Sequence, residues 1–152
     1  PGPGGWAAIL TGRKTTKLLS GGEPHTTSNR MELAGALEGL KVLSRASHVT
    51  IVSDSQYVVK GASVWWHGWR DRRWKGVKNR DLWEDLLEAS ARHTVRWKWV
   101  RGHSGDPLNE YADTLARKAL KRQSRLVQIV GKTAVPYGLL AGQVRFYERL
   151  SA

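Results

Sequence analysis

Three carboxylates stand where acids can do chemistry: Glu32, Asp54 and Asp113. Glu32 falls early in a helical stretch. Asp54 ends a run of apolar and β-branched residues. Asp113 lies in a second helical stretch, just after a Gly-His loop. Each has a plain structural alternative. Glu32 can close a capping box with Asn29, Asp54 can cap the helix that follows it, and Asp113 can pair with Arg117 one turn on. Together they point elsewhere. The ends of buried strands and the starts of helices gather at one edge of an α/β sheet. Acids meeting there repel one another unless a cation sits among them. With oxygen ligands alone the natural cation is Mg2+, and two such ions clamp a phosphodiester for in-line attack by water.

The elements that must position these acids are legible from pattern. Residues 5–11 (GWAAILT) and 15–20 (TTKLLS) read as a hairpin about Gly12-Arg13-Lys14. The opening PGPGG reads as a turn and GGEPHTTSN as a loop. SNRMELAGALEGLKVL places Leu33, Leu37 and Leu40 on one helical face, with Ser28 or Asn29 as N-cap. HVTIVSD (48–54) is apolar on both faces, which predicts a buried parallel strand. A short helix starts at Ser55, and the region after it is helical in pieces, broken at Gly68 and Gly76. NRDLWEDLLEASAR is a further helix. In TVRWKWV (94–100), Val95, Trp97 and Trp99 share one face. Pro107 opens a helix running to about Leu120, KRQSR is a connector, LVQIV (126–130) has a strand pattern, and the segment after Pro136 is weakly amphipathic. The expected fold is α/β: one domain over residues 1–120 with a mixed sheet flanked by helices, then a tail over 121–152.

Charge narrows the partner. Lys and Arg number 25 against 13 Asp and Glu, a formal +12, which points to a polyanion. The cations cluster. From Lys60 to Arg80 stand Arg70, Arg72, Arg73, Lys75 and Lys78 as well, against the single acid Asp71, with Trp65, Trp66, Trp69 and Trp74 interleaved. Cations for phosphates and flat apolar faces for sugars and bases suit a nucleic-acid backbone. Trp66 and Trp83 read instead as core residues. The absence of Cys excludes disulfides and thiolate metal sites and fits a reducing compartment. No apolar run approaches the roughly 18 residues of a membrane span, and no export leader is visible, so no membrane partner and a cytoplasmic place are expected.

The motifs PGPGGW, TTSNRMEL, VSDSQYV, WWHGWRDRRWKGVKNRDLW and WVRGHSGDPLNEYADTLA resemble those of type 1 ribonuclease H of the bacterial kind, from Pro1 to about Leu120. The resemblance implies a ribonuclease H-like mixed five-stranded sheet. It implies cleavage of the RNA strand of an RNA–DNA hybrid with two Mg2+ ions, Mn2+ substituting, held by four carboxylates. Glu32, Asp54 and Asp113 match three of these, and His103 matches the residue that assists proton transfer or product release. Thr27, Ser28, Asn29, Ser55, Gln56, Asn79 and Asn109 match hybrid-contacting positions, Ser28 standing where Asn is often found. Trp65, Trp69, Trp74 and Lys75 match the basic protrusion that grips the DNA strand.

In that family the residues before PGPGGW form the middle strand of the sheet and end in an Asp-Gly pair that carries the fourth carboxylate. The sequence printed here begins after that point. Three expectations follow. Leu126–Val130 fills the middle position, within its own molecule or by exchange between chains; or residues precede Pro1; or the chain is a decayed or truncated product. In the first case Gly131 and Lys132 arrive where the Asp-Gly pair belongs, metal affinity falls, and cleavage is impaired. Three kinds of function are then in play: a hybrid-specific ribonuclease, a module that holds hybrid or duplex without cutting it, and a subdomain of a split assembly.

Overall fold

The computed structural model describes residues 2–11, 16–99, 126–130 and 144–150. The expected hairpin turn, the loop bearing His103 and the helix bearing Asn109 and Asp113 lie outside the described residues, as do Gly131 and Lys132.

Strands β1 (Gly2–Thr11) and β2 (Thr16–Thr26) pair antiparallel from Thr11 opposite Thr16 to Gly2 opposite Thr26, with one irregularity between Gly2 and Gly4. Both are longer than expected: residues 2–5 (GPGG) and 21–26 (GGEPHT) are strand rather than turn and loop. The glycines allow it. A Cβ on Gly21 would lie 2.6 Å from the Trp6 indole, so the ring seats flat on the β2 backbone. Helix α1 (Ser28–Lys41) packs on this hairpin. Its residues Leu33, Leu37 and Leu40 are buried with Ala8, Leu10 and Leu19, as the helical period requires.

Strand β3 (Ser47–Ser53) is buried on both faces at Val49, Ile51 and Val52, and runs parallel to the edge strand β4 (Thr94–Trp99). Between them in sequence lie α2 (Gln56–Lys60), one π-helical turn (Gly61–Trp65), α3 (Trp66–Asp71) and α4 (Arg80–Ala91). The run from Gln56 to Asp71 is unbroken, so Gly68 does not interrupt it. Gly76, at φ +76°, does sit in a turn.

Two further strands, β5 (Leu126–Val130) and β6 (Val144–Leu150), complete a sheet of order β4-β3-β6-β1-β2-β5. Among the described residues the sheet thus has six strands, where five were expected. The expected occupant of the middle is also corrected: Leu126–Val130 lies at the outer edge, antiparallel to β2. The middle position belongs to β6, antiparallel to β3 and parallel to β1. The physical reason lies on the β3 side, where buried backbone groups need partners: the seven residues of β6 cover all of β3, from Ser47 opposite Leu150 to Ser53 opposite Val144, while toward β1 they meet Ala8–Thr11. The five residues of β5 would leave part of β3 unmet.

Candidate active site at the sheet edge

The strand directions decide what meets at the functional edge. β1 enters there at Gly2, β2 leaves at Thr26, and β3 leaves at Ser53. The start of α1 therefore lies toward the same end of the sheet as Asp54, with β3 ending level with Ala8 of β1. A cleft of about 520 Å3 opens here, lined by residues 2–5, Thr26, Thr27, Ser28, Met31 and Glu32. Glu32 is half-buried in it; Asp54, also half-buried, stands at the same edge but does not line the cleft.

The bland readings of these two acids fail on local geometry. Thr27, neither Ser28 nor Asn29, is the N-cap of α1: it is extended at φ −128°, and its Oγ1 accepts from the Arg30 N–H at 3.3 Å. That leaves Glu32 beyond the first turn, so Asn29 and Glu32 form no capping box. Ser55, not Asp54, caps α2, its Oγ accepting from the Val58 N–H at 3.2 Å. Asp54 sits one residue earlier, in the bend between strand and helix.

That bend is held from two sides. The buried Ser53 Oγ accepts the Ser55 N–H at 3.0 Å. The Trp99 indole N–H donates to the Asp54 carbonyl at 3.0 Å. Sequence pattern put Trp99 on one face with Val95 and Trp97; it is the more exposed of the three, at 41%.

The basic aromatic segment is anchored to the core by ring contacts. Trp83 is fully buried, and its N–H donates to the Tyr57 hydroxyl at 2.8 Å. Trp69 meets Trp83 edge-on with centres 5.0 Å apart, and in turn meets Trp74 at 5.9 Å and Trp65 at 6.3 Å. The π-helical turn exists for this contact: Gly61 lies against the Trp83 and Trp69 rings, where any side chain would collide. Trp65 and Lys75 are exposed, while Trp69 and Trp74 lean on the core. Trp66 corrects the expectation of a core residue. It is half-buried outside the core, with the Arg70 guanidinium 5.1 Å above its ring. Arg73 and Trp74 both hold positive φ, +56° and +64°, a left-handed backbone that bulky residues rarely adopt.

Asn79 joins this segment to α1. Its Oδ1 accepts from Arg30 at 3.3 Å and its Nδ2 donates to the Tyr57 hydroxyl at 3.0 Å. Arg30 also makes a bidentate pair with Asp81, at 3.0 and 2.8 Å. That hydrogen bond pushes the Asp81 carboxyl down to about 2 and raises the Arg30 guanidinium. Sequence reasoning missed Arg30, Tyr57 and Asp81. No local pattern marks them, because they meet across 49 and 51 positions of chain for Arg30 with Asn79 and Asp81. Thr27, Ser28, Asn29 and Gln56 are exposed at the edge, and Ser55 is half-buried.

A family model described as RNase H matches residues 1–121 of this chain. The chain belongs to the ribonuclease H family. It is 53% identical over 129 residues to ribonuclease H of Erythrobacter litoralis, covering 82% of this chain and 90% of that one. It is 54% identical over 125 residues to ribonuclease HI of Pseudomonas syringae pv. tomato, covering 79% and 83%. Among solved structures it is similar to LC9-RNase H1, described as a type 1 RNase H with the type 2 active-site motif. The TM-score is 0.66, with 29% identity over 86% of this chain and 78% of that one. The ribonuclease H-like α/β architecture is therefore shared.

As for metal, the described residues contain no group of three or more His, Cys, Asp or Glu placed to hold an ion. Glu32 and Asp54 stand toward this end of the sheet, where Thr27 and Ser55 are the helix N-caps, and Asp113 lies outside the described residues. An all-oxygen donor set of this kind fits a hard divalent cation.

Proposed function

We propose that this ribonuclease H family member hydrolyses the RNA strand of an RNA–DNA hybrid, with Glu32, Asp54 and Asp113 holding Mg2+, or Mn2+ in its place. The observation that carries this reading is the shared edge of Glu32 and Asp54, with the capping work done by Thr27 and Ser55. Bound divalent metal supplies charge neutralisation at the scissile phosphate and a water acidic enough to attack at neutral pH.

The chain's own groups do the rest. Thr27, Ser28, Asn29, Ser55 and Gln56 offer small hydroxyl and amide groups to a hybrid minor groove, where 2′-hydroxyls mark the RNA strand; Asn109 belongs to the same set. Asn79 enters through Arg30, whose guanidinium it helps to hold. Trp65, Trp69, Trp74 and Lys75 grip the DNA backbone, with Trp69 transmitting the anchorage of Trp83 to the exposed Trp65. His103 assists proton transfer or product release. A cytoplasmic place belongs to the same reading; among the described residues no helix is long and apolar enough to cross a membrane.

One observation favours the second reading, a module that holds hybrid without cutting it. The described part of the strand between β1 and β3 brings no acid to the edge: Glu148 stands opposite Val49, mid-strand. Incubation with hybrid labelled on the RNA strand, with Mg2+ or Mn2+, separates the two. Cleavage that is lost in Glu32→Gln and Asp54→Asn supports the enzyme. Tight binding with intact RNA supports the module.

A further inference from the structure

We infer that Trp99 is a positioning residue for Asp54. The inference rests on the reading of Asp54 as a metal-holding acid and extends it to a group outside the carboxylate set.

The geometry is specific. Ser53 opposite Trp99 is the last pair of the β3–β4 ladder. Asp54 follows it, and Ser55 caps the helix beyond. The Asp54 carbonyl thus lies past the ladder and before the first carbonyl that a helix can use. The partner that the structure gives it is the indole N–H of Trp99, at 3.0 Å. Together with the Ser53 Oγ bond to the Ser55 N–H, this fixes the peptide planes on both sides of the Asp54 Cα. Fixing those planes fixes the direction of the Cα–Cβ bond, and with it the reach of the carboxylate.

The setting argues against a packing role. Trp99 is 41% exposed on an edge strand, so its ring gains little from burial there. A ring kept for stacking on bases would have no need to turn its N–H inward to the main chain. Acids of a metal site must be held to within about 0.5 Å, and a displacement of about 1 Å at a reacting centre costs up to about 100-fold in rate. Loss of one restraint among several should fall short of that.

The test compares Trp99→Phe, which keeps an aromatic ring without the donor, with Trp99→His. The imidazole Nε2 superposes on the indole Nε1, so a donor is restored. Trp99→Phe should lower kcat about tenfold on hybrid with KM within about twofold, and should raise the Mg2+ concentration needed for half-maximal rate; Trp99→His should recover part of both. A KM rise at constant kcat would make Trp99 a substrate contact and overturn the inference, as would wild-type kinetics in Trp99→Phe. NMR of the metal-free protein gives a readout independent of cleavage. The Trp99 indole proton should be protected from exchange, and the Asp54 carbonyl 13C should shift in Trp99→Phe and return toward wild type in Trp99→His. If the wild type cuts no hybrid, the functional reading fails by itself, and Trp99 is then decided by these signals with a Mn2+ titration. An unmoved Asp54 carbonyl, or equal Mn2+ affinity in wild type and Trp99→Phe, overturns the inference.

Discussion

Adding one methyl group at Gly61 and at Gly68 should have opposite effects, although both glycines lie in the same helical run. At Gly61 a Cβ would come within 2.5 Å of Trp83 Cζ2, closer still to Cη2, and 3.1 Å from Trp69 Cη2. Carbon atoms pack at about 3.5–4.0 Å, so the overlap is about 1 Å. Trp83 cannot yield cheaply, because it is fully buried and tied to Tyr57 through its N–H. Overpacking of this kind costs about 1–3 kcal/mol. At about 2–4 °C per kcal/mol for a domain of this size, Gly61→Ala should lower Tm by roughly 3–10 °C. At Gly68 nothing lies within 4 Å of a built Cβ, and the residue is exposed in α3. There alanine gains about 1 kcal/mol of helix propensity, so Tm should rise by about 2–4 °C. Circular dichroism melts of the two variants read this directly. Gly61→Ala at or above wild-type stability would refute the close seating of Trp83, and with it the anchorage of the basic segment.

Four further perturbations probe other features. Asp81 is depressed by its bond from Arg30, so its contribution is present above the ordinary carboxyl range and is lost as pH falls through about 2. The side chain is 65% exposed, which limits the contribution to about 1 kcal/mol or less. The Tm of Asp81→Asn should lie about 1–3 °C below wild type at pH 7, and the two curves should converge toward pH 2; a constant gap would deny the ion pair. Deletion of residues 144–152 should abolish cooperative unfolding, since unmet middle-strand groups cost about 1–3 kcal/mol each against a total of about 5–15 kcal/mol. A folded deletion variant would remove β6 from the middle of the sheet. Alanine at Trp65 and Lys75 together should raise KM more than it lowers kcat, and an unchanged KM would make them idle. Hybrid affinity should fall steeply with salt, and a flat response would deny the phosphate contacts.

Local pattern carried the elements whose reason is local. Leu33, Leu37 and Leu40 repeat at helical spacing and are buried, and the unbroken apolar run of β3 is buried on both faces. The basic aromatic segment was legible from composition because charge and ring density are themselves its physics. The misses share a cause in tertiary contact. PGPGG reads as a turn by propensity, yet its residues 2–5 pair with β2, and Trp6 fills the space that Gly21 leaves in β2. Asn29 and Ser28 cap as well as Thr27 in principle, and the exit of β2 at Thr26 selects Thr27. VRFYERL mixes Arg and Glu with apolar residues and so hides a middle strand, while LVQIV looks more like one and lies at the edge. Trp99 shares a face with Val95 and Trp97 by pattern, but it pairs with the last residue of β3, where it is 41% exposed and its N–H reaches the Asp54 carbonyl.

The central claim is that Asp54 and Glu32 work together on a phosphodiester at one sheet edge. It is tested most directly by a single-turnover assay of wild type and Asp54→Asn on an RNA–DNA hybrid in Mg2+, with hybrid affinity measured in parallel at low metal. The account predicts RNA cleavage by the wild type, none by the variant, and nearly equal affinities. An intact RNA strand with wild type, or cleavage that survives in Asp54→Asn, would contradict it.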